Sequence, residues 1–490
     1  MGVRNAHVLC QLAPNISSPP PSLASRTFYN GGFFPTSTIH ANPRNDRREA
    51  ISLADILGSS STSDLKLAII SSYGLGSNPD WLYQHFNPSA PVILVVQTGS
   101  EEQRATMTKN IFPNWVQTCP KLGRGGCLHM KYMLLFYKTG RLRVVVSTAN
   151  LLSLDWKHLE NSVFLQDICL RSAPLVDGDS NASGEAKQLN ANGHSEESFA
   201  KLLESVLKAT NVVPALEHFK QNRSDLPLKS ISDLSKLWDW SRVKAELVPS
   251  IAGKWEGWKQ IKMTGHPRLM RAIETLGLTS GGAQKLVVEC QGSSIGNYTT
   301  QWFNQFYLSA SGQSSALKAH LDISEAKRKK LAYPSGVKVI FPTLNTVKNT
   351  DQHGSGSLFC KRKQWDAKNF PRDHFYDSKS RAGRVLMHTK MIVGTITRKS
   401  DSGSKKPSRD EDEQETAAGW MYVGSHNFTY AAWGNLTGSG SAPVMNVNNY
   451  ELGVIVPLNT AEDVDTASAW ERPARKYGSG DIPWIMQENR

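Results

Sequence analysis

One pattern occurs twice in this chain and constrains its fold more than anything else in the sequence. It is His-x-Lys at the head of an apolar run, followed downstream by Asn and then Trp. The first copy reads Leu128-His129-Met130-Lys131, an apolar run at 132–137, a turn at Thr139-Gly140, a β-rich run at 143–146, then Ser147-Thr148-Ala149-Asn150 and Trp156. The second reads Met387-His388-Thr389-Lys390, an apolar run at 391–397, then Met421-Tyr422-Val423-Gly424-Ser425-His426-Asn427 and Trp433. His129 and Asn150 are 21 residues apart, and His388 and Asn427 are 39 apart. A hydrophilic tract of 20 residues, 398–417, lies inside the second copy, and without it the spacing falls to 19. Such an insertion costs little, because loop-closure entropy grows only logarithmically with length. The chain therefore reads as one unit used twice.

His-x-Lys at a strand start has a simple geometry. Residues i and i+2 point to the same face, so His129 and Lys131 project together, as do His388 and Lys390. Each Asn follows a second apolar run and falls at that strand's end. Two such units facing each other offer two imidazoles, two ammonium groups and two carboxamides, with no carboxylate in either motif. That set suits a phosphoryl group. Lysines and asparagines bind the non-bridging oxygens where charge develops, one histidine attacks phosphorus and the other protonates the departing oxygen. The symmetry leaves open which histidine does which. His426, beside Asn427, has Ala149 as its counterpart and is read as incidental.

These motifs resemble the phospholipase D superfamily, whose pattern is His-x-Lys, four residues, Asp, then Gly-Ser-x-Asn. The Asp position here is Phe136 in the first unit and Thr395 in the second. Loss of both aspartates, with Ser147-Thr148-Ala149-Asn150-Leu151 leading to Asp155-Trp156 and Gly424-Ser425-His426-Asn427-Phe428 leading to Ala431-Ala432-Trp433-Gly434, is similar to the tyrosyl-DNA phosphodiesterase family. Asp55-Ile56-Leu57, Asp80-Trp81-Leu82, Ser293-Ser294-Ile295-Gly296 and Glu451-Leu452-Gly453-Val454 support the likeness, which runs from about Ser25 to Trp484.

The resemblance implies an α/β fold of two similar α-β-α sandwich domains with mixed sheets, related by a pseudo-twofold axis. A tail at 1–24, a first domain at 25–240 and a second at 241–490 are expected. It implies a DNA-repair phosphodiesterase that hydrolyses the 3′-phosphotyrosyl bond to a topoisomerase I peptide, and other 3′-blocking adducts, without cofactor or metal. His129 is then the nucleophile that becomes a phosphohistidine, and His388 the general acid and base. Lys131, Lys390, Asn150 and Asn427 hold phosphoryl oxygens, and Glu451 orients a histidine ring. Asn161 takes the comparable position in the first half, where the family more often shows Gln, and is expected to support His129 beside the substrate. Ser293, Ser294 and Ser357 are expected to contact DNA, and Trp484, near the site, to touch substrate. Expected partners are single-stranded or duplex DNA 3′ ends and the topoisomerase-derived peptide, in a monomeric nuclear protein. The alternatives are another phospholipase D-type enzyme acting on lipid or nucleic acid, and a non-catalytic DNA-binding repair protein.

Composition agrees with this reading. Lys and Arg number 56 against 43 Asp and Glu, a net +13, which favours a polyanionic partner through counterion release. Six cysteines without a C-x-x-C pair argue for reduced thiols and against a disulfide framework or zinc site. No apolar run approaches the roughly 18 residues of a membrane span. Along the chain, 52–57, 80–85, 199–209, 214–219 and 267–276 read as helices. Segments 91–96, 162–167, 244–248, 285–290 and 337–341 read as strands, and 65–72 as a strand or a buried helix. Residues 175–197 and 399–416 are polar and aperiodic, and read as surface loops. The Gly/Ser turn after 285–290 either donates amides to phosphate or is merely a turn. The basic clusters Lys327-Arg328-Lys329-Lys330 and Lys361-Arg362-Lys363, interleaved with Tyr333 and Trp365, suit a nucleic-acid strand or a solvated surface.

Overall fold

Burial along Leu65–Ser72 shows how the first half is layered. Leu67 and Ile69 enter one core with Leu202, Leu203 and Val206 of the helix Phe199–Ala209. Ala68 and Ile70 enter the opposite core with Leu53, Ile56 and Leu57 of the helix Leu53–Leu57. Alternation of period two is a strand property, so the segment that the sequence left between strand and buried helix is a strand with helices on both faces. The short helix Leu53–Leu57 starts where Ser52 accepts the Asp55 N–H and the Asp55 carboxylate accepts the Ser52 N–H, a reciprocal cap. The computed structural model describes residues 22–486 and 488, apart from 59–63, 77, 98–103, 174–196, 283, 353–356 and 399–417. Most of the tail and nearly all of both expected polar loops lie outside the described residues.

The first sheet runs in the order Gly32–Pro35, Ser162–Leu170, Leu142–Ser147, Tyr132–Tyr137, Leu65–Ser72, Val92–Val96, Trp115–Cys119, Thr106–Lys109. The second runs Glu246–Ser250, Glu451–Leu458, Gly419–Gly424, Met391–Arg398, Gln284–Gln291, Val337–Ile340, Phe375–Tyr376. Matched position by position, the first seven strands of one sheet repeat the other. In each, four antiparallel strands lead to a fifth that also pairs antiparallel, and two parallel strands follow. The helices Gly265–Thr275 and Thr300–Ala310 cover one face of the second sheet through Leu269, Ile273, Trp302, Phe303 and Phe306. On its other face Met391, Val393, Met421 and Val423 meet Val464 and Trp470.

The two sheets are joined where the site lies. Leu159–Glu160 of the first half pairs in parallel with Leu386–Met387, the residues just before His388. Leu128, just before His129, bridges in parallel to Tyr450 of the second half. One apolar core runs through this seam, placing Leu128 and Val146 in the same cluster as Leu247, Leu452 and Val454. Each histidine thus enters the site on backbone docked against the opposite half.

Candidate active site

The backbone fixes both histidines in the same way. The Tyr450 carbonyl accepts the His129 N–H and the Glu160 carbonyl accepts the His388 N–H, each at 2.8 Å. Each lysine folds back on its own motif, Lys131 Nζ donating to the His129 carbonyl at 2.8 Å and Lys390 Nζ to the His388 carbonyl at 2.5 Å. Each lysine's own carbonyl accepts from the neighbouring strand's end, Lys131 from Ser147 and Lys390 from Gly424. The four residues therefore sit at equivalent positions of two equivalent hairpins.

The imidazoles are gripped by the half opposite their own. His129 Nδ1 lies 2.8 Å from Glu451 Oε2 and 2.9 Å from the Ser425 carbonyl. Both partners accept, so Nδ1 carries the proton and Nε2 keeps its lone pair. His388 Nδ1 lies 3.1 Å from Asn161 Oδ1 and 3.2 Å from Asp155 Oδ2. Asn161 Nδ2 donates to the Asp155 carbonyl and Thr148 Oγ1 donates to Asn161 Oδ1. These bonds fix the carboxamide with its oxygen towards His388, and again Nδ1 is the protonated nitrogen. Both rings therefore keep Nε2 out of these bonds and carrying its lone pair. Asn161 thus supports His388 across the seam rather than His129. It is fully buried and makes no face towards a substrate, which corrects the sequence expectation on both points.

Two carboxylates complete a centre that the motifs alone present as purely cationic. Glu451 accepts from Ser425 Oγ at 2.5 Å and Asn449 Nδ2 at 3.0 Å in addition to His129. Asp155 accepts from the Asn150 N–H at 2.6 Å and from Asn150 Nδ2 at 3.0 Å. Asp155 is the residue that sequence reasoning missed. Its signal was the broken symmetry before each Trp, Asp155-Trp156 against Ala432-Trp433.

Burial governs the protonation of the set. Desolvation, with Lys131 nearby, lowers His129 below its ordinary value in spite of Glu451. Desolvation and Lys390 bring His388 down to about 4. Burial takes Lys131 to about 8 and Lys390 well below the usual lysine range. Burial raises the two carboxyls, but the histidines and lysines outweigh it, leaving Asp155 lowered and Glu451 at about 2. His129 feels the charge of Lys390 and His388 that of Lys131. The two motifs share one electrostatic site, whose two lysines are already buried away from water.

The carboxamides differ. Asn427 Oδ1 accepts from the Ser293 and Ser294 N–H groups at 3.0 Å each, and from Ser293 Oγ at 3.3 Å, so its Nδ2 is the end left for a ligand. The Gly/Ser turn thus spends its amides on Asn427, and Ser293 is buried. Ser294 lines a cavity of about 260 Å³ with His129, Asn427, Glu451, Cys127 and Phe359. Ser357 keeps its hydroxyl buried and, among the described residues, unpaired. Trp484 is 1% exposed, packed in the second half's core with Leu358, Cys360 and Trp365, which corrects the expectation that it touches substrate. Of the basic clusters, Arg328 is buried on the Leu321 carbonyl, Lys329 pairs with Glu325, Arg362 pairs with Glu488, and Lys361 lies over the Phe359 ring. His426 is buried between Ser250 and the Tyr422 hydroxyl, its ring tilted against Trp433 with centroids 4.2 Å apart. Among the described residues no group of three or more His, Cys, Asp or Glu side chains is placed to hold a metal ion, and no helix is long and apolar enough to cross a membrane.

The family profile described as tyrosyl-DNA phosphodiesterase matches residues 33–482. Tyrosyl-DNA phosphodiesterase 1 of Arabidopsis thaliana is 24% identical over 425 residues, covering 85% of this chain and 60% of that protein. The Drosophila melanogaster protein of the same name is 24% identical over 380 residues, covering 73% of this chain and 57% of that one. The chain thus spans about 60% of the length of the curated relatives it matches. The crystal structure of the yeast tyrosyl-DNA phosphodiesterase superposes with a TM-score of 0.58 at 15% identity, covering 93% of this chain and 100% of that one, so the two share a phospholipase D-like α/β fold. By its match over nearly its whole length, this chain belongs to the tyrosyl-DNA phosphodiesterase family.

Proposed function

We propose that this protein is a DNA-repair phosphodiesterase that hydrolyses a 3′-phosphotyrosyl bond through a phosphohistidine on His129. The observation that carries the reading is the pair of Nε2 atoms freed by Nδ1–H bonds, set among two lysines, with Glu451 behind one ring and Asp155 behind the other. His129 Nε2 attacks phosphorus, the P–N bond forms and the P–O bond to the tyrosine breaks. His388 Nε2–H gives its proton to the departing phenolate oxygen. A water then attacks the phosphohistidine while His388 takes its proton, the P–N bond breaks, and a 3′-phosphate leaves.

The carboxylates support this split of roles. His129 has the closer, fully buried Glu451 contact at 2.8 Å, which stabilises the cationic ring formed when nitrogen bonds to phosphorus. His388 is neutral in the free protein, with a pKa of about 4. The phosphodiester anion offsets the lysine charges beside it, so substrate binding takes up the proton that the first step delivers. A phenol, with a pKa of about 10, is a better leaving group than an alkoxide, which favours a phosphotyrosyl substrate over a lipid diester. The adduct assigned is a peptide tyrosine on a DNA 3′ end, as a stalled topoisomerase I would leave.

The test is release of tyrosine from a 3′-phosphotyrosyl oligonucleotide in EDTA. Turnover is expected. Turnover of a phosphatidyl substrate alone would favour the lipid enzyme, and oligonucleotide binding without turnover would favour a non-catalytic DNA-binding protein.

A further inference from the structure

Glu160 is a buried carboxyl, paired with Arg44, that the proposed reaction does not use. It is 1% exposed, next to Asn161, and its carbonyl holds both the His388 N–H at 2.8 Å and Thr389 Oγ1 at 3.1 Å. Its carboxylate spans the seam between the halves. Oε1 accepts from Arg44 Nη2 of the first half at 2.9 Å, and Oε2 from Ser380 Oγ of the second at 2.6 Å. Arg44 is itself fixed by two bonds to Asp46, at 2.9 and 2.7 Å. Ser380 Oγ also accepts the Ala382 N–H at 3.0 Å. The equivalent position on the other side of the pseudo-twofold is Tyr450, whose carbonyl holds the His129 N–H and whose phenol donates to the Lys121 carbonyl. Among the described residues the ionic clamp is therefore on the side of His388.

We propose that Glu160 is a positioning residue for His388. It locks the Leu159–Glu160 and Leu386–Met387 pair so that the ring of His388 stays on Asn161 and Asp155. A buried carboxylate bonded to both halves resists sliding of one strand against the other better than an apolar contact, because each shift breaks a charge-assisted bond with no water to replace it. The register matters more for His388 than for His129. A general acid must meet the leaving oxygen in one direction, and misplacement of about 1 Å can cost roughly 100-fold.

This rests on the assignment of His388 as the proton donor, and the experiment separates the two. Leaving-group release is measured in single turnover on two oligonucleotides, one ending in 3′-phosphotyrosine and one in 3′-(4-nitrophenyl) phosphate, whose leaving group needs no proton. Glu160→Gln is expected to slow tyrosine release about 10- to 100-fold, with 4-nitrophenol release within about 3-fold of the unaltered protein and KM unchanged. Ser380→Ala, which keeps the ion pair, should show the same selectivity at smaller size, and Tyr450→Phe should show none. Equal losses on both substrates for Glu160→Gln and Ser380→Ala would overturn the proposal, leaving Glu160 a residue of the fold only. If His388→Ala itself lost both substrates equally, the proton-donor assignment would fall first. Should Glu160→Gln not fold, Ser380→Ala decides alone: selective loss supports the clamp, and equal or absent loss refutes it.

Discussion

Replacing Glu451 by Gln removes one charge from the site and almost nothing else. The side chain is buried and receives three donors, His129 Nδ1–H, Ser425 Oγ–H and Asn449 Nδ2. A glutamine of the same size can keep its oxygen towards His129 and Ser425 and turn its amide towards Asn449, whose own carboxamide can flip to accept. The geometry survives while the stabilisation of a cationic His129 does not. At an effective dielectric of about 20, unit charges about 4 Å apart interact by roughly 4 kcal/mol. With about half a charge developed on the ring in the transition state, the loss is about 2 kcal/mol, or roughly 30-fold in rate. Single-turnover cleavage of the 3′-phosphotyrosyl oligonucleotide should show that drop in the rate of adduct formation, with KM unchanged. An unchanged rate, or a loss confined to KM, would refute the reasoning that Glu451 acts through its charge on His129.

Other outcomes follow from the same geometry. Asn427→Asp keeps the oxygen that Ser293 and Ser294 hold but exchanges the ligand-facing NH₂ for a negative oxygen. Activity should fall about 10²- to 10³-fold with the melting temperature preserved, which parallel kinetics and thermal unfolding will check. Lys131 has a pKa of about 8, so above that pH it must take up a proton before it can meet an anion. The affinity for tungstate, measured by calorimetry, should weaken as pH rises through 8, and Lys131→Gln should flatten that stretch. His426 is buried neutral with a pKa of about 3. The unfolded chain protonates it below about 6.5 while the folded one does not, so stability falls as pH drops from there towards 3. In urea titrations His426→Gln should make that slope shallower by about 1.4 kcal/mol per pH unit. Restoring an aspartate at Phe136, which packs on Trp238 at 5.3 Å, would bury an unpaired carboxylate and should destabilise by about 3–5 kcal/mol in denaturant melts.

Much of this architecture was legible because it rests on periodicity. The apolar runs after His129 and His388 became strands in equivalent places, and the equal Asn-to-Trp offsets reported equivalent turns. The four His and Lys residues were found because extended backbone puts i and i+2 on one face, although each pair lies just before its strand, Tyr132–Tyr137 or Met391–Arg398. What stayed hidden depends on contacts between residues far apart in the chain. Nothing in local sequence says that Asn161 would meet His388 rather than His129, since the crossing is made by strand pairs such as Leu159–Glu160 with Leu386–Met387. Asp155 was visible as a letter in the motif, but its role needed the turn that brings its carboxylate back to Asn150 and on to His388. Trp484 was misplaced for the opposite reason, because an aromatic near a chain end serves a core as readily as a cleft. The Phe136 and Thr395 substitutions for aspartate also make structural sense. Phe136 is a core residue, and Thr395 accepts from Arg472 Nη2.

The central claim is that His129 is the atom donor to phosphorus and His388 the group that later frees it. A 5′-labelled 3′-phosphotyrosyl oligonucleotide should be incubated with His388→Ala and with His129→Ala, resolved on a denaturing gel, and any adduct mapped by peptide mass spectrometry. An adduct that maps to His129 is expected with His388→Ala, and none with His129→Ala. An adduct on His388, dependent on that residue and indifferent to His129, would contradict it.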